Sequence, residues 1–167
     1  MNTIEVHTDS LPENVTAQIP SLDELESTLQ NACNKTLEFR SMDDAEISIA
    51  IVSDERIHEI NRQFLNHDYP TDVITFELGT NPATNNFQAE IVVSAETAMQ
   101  IAEEVDTSLE MELILYVIHG SLHLAGLDDH TDEDRAEMRK NERAMICLLY
   151  TSPSPRDQRG YRMPSSA

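Results

Sequence analysis

The chain has 167 residues, 40% of them hydrophobic and 5% aromatic, no Trp, and a formal charge of −20, which suits one soluble domain cored by Ile, Leu, Val, Ala and Met. It contains no run of about 18 apolar residues, and its start, MNTIEVHTDSLPENV, is polar and acidic, so neither a membrane span nor a secretory leader is expected and a cytoplasmic protein is. Cys33 and Cys147 make neither a disulfide framework nor a C-x-x-C metal spacing.

In chain order, NTIEVHT reads as a short strand in which Ile4 and Val6 alternate with polar neighbours, and the rest of residues 1–20 carries little pattern. A helix is expected over LDELESTLQNACNKTLEF, with Ser21 as its N-cap and Glu24 completing a capping box. AEISIAIVS places Ile47, Ile49 and Ile51 on one face of a strand, and DERIHEINRQFL gives a helix with Ile57, Ile60 and Phe64 on one side. YPTDVITFEL is a strand entered through Pro70, GTNPATNNFQ a loop, and AEIVVS a strand running into the helix AETAMQIAEEV.

Thr107 and Ser108 open the most apolar segment, LEMELILYVIHGSLHLA, a helix that stops before Gly126. Tyr116 and its apolar neighbours over 113–118 are read as core. A last amphipathic helix starts at Thr131 with an acidic first turn. Strands clustered mid-chain with helices on both sides predict an α+β fold, a small mixed sheet packed with helices.

From Cys147 the sequence changes to CLLYTSPSPRDQRGYRMPSSA, which resembles translated sequencing adapter and is expected to be a disordered, non-native tail over 147–167 behind a single domain at 1–146. Without the tail's three arginines and one aspartate, 8 basic and 30 acidic residues remain, a net charge of −22. So acidic a protein is a poor non-specific ligand for nucleic acid, and an RNA substrate would need a local basic surface, a metal or a partner to overcome the repulsion.

The chemistry concentrates in HGSLHLAGLDDH, residues 119–130. On a helix, residues four apart share a face, so His119 and His123 can point at one ion. Such a pair alone also fits core or surface histidines. The turn at Gly126, followed at once by Asp128, Asp129 and His130, favours a metal site at the end of the central helix, since a catalytic zinc takes three protein ligands and keeps one position open. The arrangement is zincin-like, but Gly120 stands where H-E-x-x-H proteases carry their general base, which disfavours peptide hydrolysis. The acidic run DDHTDED lacks the glycine and distal glutamate of an EF-hand and is read as a helix start. His58 and His67 are expected at the surface.

These residues resemble the YbeY endoribonuclease family of rRNA maturation factors. HGSLHLAGLDDH is similar to the family's H-G-x-L-H-L-x-G-Y-D-H motif, INRQFLNHDYPTDVITF at 60–76 to its second block, and AEIVVSAETA at 89–98 to its G-(D/E)-I-V-I-S strand and following helix. The acidic helix with Met138 also fits, so the resemblance spans about residues 20–146. It implies a zinc-dependent nuclease for single-stranded RNA, holding one Zn²⁺ per chain and acting on rRNA and ribosomal subunits in small-subunit 3′-end maturation and ribosome quality control, with no role for DNA or membranes.

Residue by residue, the resemblance implies His119 and His123 as catalytic metal ligands. The family's third histidine falls ten residues after the first, where this chain has Asp129, with His130 one later; counting back from Met138 also favours Asp129 and keeps His130 as the alternate. Leu65 replaces a family arginine associated with RNA handling, so either Arg62 substitutes for it or cleavage is weak and ribosome binding is the main role. Asp72 either orients a ligand histidine or binds substrate, or only caps the turn after Pro70.

Overall fold

The computed structural model describes residues 2–8, 11–64 and 72–149. The elements are strand β1 (Thr3–Thr8), helix α1 (Glu13–Thr16), α2 (Leu22–Phe39), β2 (Glu46–Val52), α3 (Asp54–Phe64), β3 (Val73–Thr80), β4 (Phe87–Ser94), α4 (Ala95–Glu104), α5 (Leu109–Leu124) and α6 (Asp132–Leu149), and all but α1 are expected from the sequence. The four-residue α1 has no counterpart among the expectations, because a single turn is too short to show a periodicity. The β3–β4 loop is shorter than expected, since Gly79 and Thr80 continue the ladder past a bulge, opposite Gln88 and Phe87. Residues 147–149 form the end of α6, while the remainder of the adapter-like segment, with His67, Leu65, Pro70 and Thr71, lies outside the described residues.

Side-chain caps set the helix starts. Ser21, Ser94, Ser108 and Thr131 each accept a backbone N–H three residues on, from Glu24, Thr97, Met111 and Asp134 at 3.0–3.2 Å. The sheet runs in the order β1-β2-β4-β3, with β1, β2 and β4 parallel and β3 antiparallel to β4. The alternation in β2 decides what each face meets. Ile47, Ile49 and Ile51, in register with Ala89, Ile91 and Val93, join the large core formed with α2, α5 and α6. Val52, Ile74 and Val92 meet Ile57 and Ile60 of α3 on the opposite face. Both faces are covered, which is why β4 reads as a continuous apolar run and not an alternating one.

Helix α5 is the centre of the molecule, buried nearly all round and packed on α2, α4, α6 and the β3–β4 pair. Tyr116 is fully buried, as expected for core. So is Cys33, whose thiol is pushed up to about 12 by burial. Gly120 is the point of closest approach between helix and sheet: a Cβ there would lie 2.9 Å from Ile91 Cγ2 and 3.3 Å from Thr75 Cγ2. The crowding atoms belong to β-branched side chains that have little freedom to move aside. A Gly120→Ala variant is therefore expected to lose about 1–3 kcal/mol to overpacking, exceeding the ~1 kcal/mol of helix propensity gained, and chemical denaturation of the two proteins measures the difference.

Candidate metal centre

The site is assembled from the end of α5, the turn after it, and α6. His119 and His123, one turn apart on α5, bring their Nε2 atoms to 3.1 Å with the rings edge to face. The helix then ends in a Schellman turn: the N–H of Gly126 bonds to the carbonyl of His123 and that of Leu127 to Leu122, both at 3.0 Å. Gly126 has a φ of +103°, a conformation that only glycine adopts without strain. This reversal returns the chain to the face it has just left. Asp129 comes to lie with Oδ2 at 3.7 Å from the Nε2 of both histidines.

Of the expected ligands, the structure brings His119, His123 and Asp129 together, with one ligand atom of each within 4.8 Å of the others. His130 is not among them. Its ring is 79% exposed and pairs with Asp128 at 3.5 Å. Arg135 holds the loop, donating to the carbonyls of Asp129 and His130 at 3.3 and 3.4 Å and pairing with Asp132.

The sequence reading did not single out Glu142. Its Oε1 accepts from His119 Nδ1 at 2.7 Å, with both side chains almost fully buried. A proton fixed on Nδ1 leaves the Nε2 lone pair of His119 directed at His123 and Asp129, the arrangement that orients an imidazole for a metal. The local sequence could not reveal it, because α6 has several acidic residues and only docking on α5 buries this one. Burial, and then the neighbouring His119, lower the pKa of His123, outweighing the opposing pull of Asp129 and Asp128. Its ring is thus neutral, and available as a ligand, further into the acid range than an ordinary histidine.

Two imidazole nitrogens and one carboxylate oxygen, with a carboxylate behind the more buried ring, make a donor set suited to a divalent first-row metal with an open position. That open side lies toward His123, which is 23% exposed against 2% for His119. The remaining candidates are not part of this cluster. Asp72 is buried at the entry to β3, where its Oδ1 accepts the Val73 N–H and its carbonyl the Ser94 N–H. Arg62 is exposed on α3, the helix that covers the other face of the sheet from α5. His58, also on α3, is half-buried.

Comparison with known proteins places the chain in a family. A family model described as Endoribonuclease YbeY matches residues 12–149. Endoribonuclease YbeY of Desulfitobacterium hafniense is 34% identical over 149 residues, covering 84% of this chain and 92% of that protein. The same-named protein of Rhodopirellula baltica is 45% identical over 109 residues, 64% of this chain, and the matched part is only 55% of its own length. The solution structure of TM1509 from Thermotoga maritima superposes with a TM-score of 0.57 at 28% identity, covering 89% of this chain and 90% of that one. A match along most of the chain, on a fold that gathers the motif's residues at one point, shows that the chain belongs to the YbeY endoribonuclease family.

Proposed function

We propose that this protein is a zinc-dependent endoribonuclease that cleaves single-stranded RNA in the cytoplasm, acting on rRNA and ribosomal subunits in 3′-end maturation of the small-subunit rRNA and in ribosome quality control. The observation that carries the reading is the meeting of His119, His123 and Asp129 at one point, with Glu142 behind His119. When bound, zinc supplies a water of near-neutral pKa and a positive charge for the scissile phosphate. The chain's own residues prepare for this. Glu142 keeps the His119 proton on Nδ1, burial keeps His123 neutral, and Asp129 adds the one negative charge among the three ligands. The exposed edge of His123 marks the side from which a strand approaches.

A second reading, a metal-stabilised ribosome assembly factor without catalysis, is favoured by Leu65 in the position of the family's arginine and by the acidity of the chain. The test is direct. Purified protein is expected to contain about one zinc per chain and to cut a labelled single-stranded RNA but not the matching duplex, and His123→Ala is expected to abolish cutting while remaining folded. Zinc-loaded, folded wild type that leaves single-stranded RNA intact favours the assembly factor, and absence of zinc even after supplementation sinks both readings.

A further inference from the structure

Cations are scarce on this chain, yet four of the eight that precede the tail fall within nine residues of α6: Arg135, Arg139, Lys140 and Arg143. They are sorted, not scattered. Met138, Glu142 and Ile146 form the buried row of α6 that faces the core and His119. Each lies three residues after one of Arg135, Arg139 and Arg143, so these arginines form the exposed row directly beside it, with Lys140 next to Arg143. Glu133 and Glu137 lie on the far side of Lys140, which follows Glu137 by three residues and so borders the acidic row as well as Arg143, while Arg139 and Arg143 have no acid three or four residues before them.

Arg135, at the start of the basic row, is committed to the loop that presents Asp129. Arg139, Lys140 and Arg143 are exposed and make no ion pair among the described residues. Like charges three and four residues apart on a helix repel by a few tenths of a kcal/mol. In a chain with 30 acidic residues before the tail, leaving these cations together and unpaired runs against the general charge pattern. Successive members of the row are about 6 Å apart along the helix axis, and the row leads to the turn that carries Asp129.

We infer that Arg139, Lys140 and Arg143 form a phosphate track that holds the RNA strand flanking the cleavage position and delivers it to the metal centre. The inference rests on the RNA reading above and names the residues that supply the local positive surface so acidic a chain requires. It assigns binding, not chemistry, to these side chains, which act on the strand and not on the reacting phosphate.

The experiment compares zinc-loaded wild type with an Arg139→Ala/Lys140→Ala/Arg143→Ala variant and a Lys35→Ala/Arg56→Ala control, whose cations pair with Glu38 and Glu59. Fluorescence anisotropy with a labelled single-stranded RNA is read over a salt series, together with KM and kcat. The triple variant is expected to bind at least about tenfold more weakly, with a salt slope shallower by about 2, the value for three lost phosphate contacts on a single strand. Its KM is expected to rise in parallel while kcat, zinc content and melting temperature stay those of wild type, and the control to bind within twofold of wild type. Unchanged affinity and slope in the triple variant, with a wild type that cleaves RNA, overturn the track alone. An equal loss in the control overturns it too, by showing a net-charge effect. A wild type that does not bind RNA overturns the RNA reading, and the track with it.

Discussion

Replacing Asp129 with alanine is expected to lower zinc affinity by at least about 100-fold, the upper end of what loss of an outer-shell partner costs, while His130→Ala leaves it within twofold. The contrast follows from where the turn after α5 sends two adjacent side chains. Asp129 Oδ2 stands 3.7 Å from both histidine Nε2 atoms, whereas the His130 ring is 79% exposed and turned to Asp128. Imidazole is the more usual zinc ligand, so chemistry alone does not choose the aspartate; position does. Competition titration against a chromogenic chelator measures both variants, and the reverse order of affinities would sink the assignment.

His119→Ala is expected to destabilise the metal-free fold as well as remove metal binding. In wild type the Glu142 carboxylate is 1% exposed, its Oε1 is satisfied by His119, and Oε2 has no hydrogen-bond partner among the described residues. Removing the imidazole leaves a buried acid with nothing to bond. Breaking such a buried pair costs about 3–5 kcal/mol, or roughly 6–20 °C in melting temperature for a chain of this size. Replacing both partners is milder than removing one. His119→Ala/Glu142→Leu should therefore recover at least half of the loss in chelator-treated protein while still failing to bind zinc. His123→Ala, at the exposed edge and without a buried acid behind it, should cost under about 1 kcal/mol. An unaltered melting temperature for chelator-treated His119→Ala would show that Glu142 does not depend on the histidine.

Much of the architecture could be read from the sequence because it is encoded locally. A period of two in Glu46–Val52 and hydroxyl residues at Ser21, Ser108 and Thr131 describe strand faces and helix starts within a few residues of themselves. The i,i+4 spacing of His119 and His123 is of the same kind, since helix geometry alone puts the two on one face. Gly126 also carries its meaning locally, as the residue that tolerates the positive φ of the turn.

Other features depend on how distant elements dock. Gly120 reads in the sequence as a missing base, but the structure gives it a packing role: α5 lies so close to Ile91 and Thr75 that no side chain fits. Arg62 lies within the second motif in sequence, yet it sits on α3, the helix that covers the far face of the sheet. Glu142 is one acid among several in α6 until the packing of α6 on α5 buries it against His119.

The sequence by itself determined the α+β class, the element order apart from the single turn α1, the histidine pair and the family resemblance, because periodicity, capping and motif spacing are short-range properties of the chain. Only the tertiary structure decided that Asp129 and not His130 completes the cluster and that Glu142 stands behind it. The physical reason is that the direction of a side chain after a helix reversal, and the acid a neighbouring helix buries, are set by three-dimensional packing to which residues 23 positions apart contribute together.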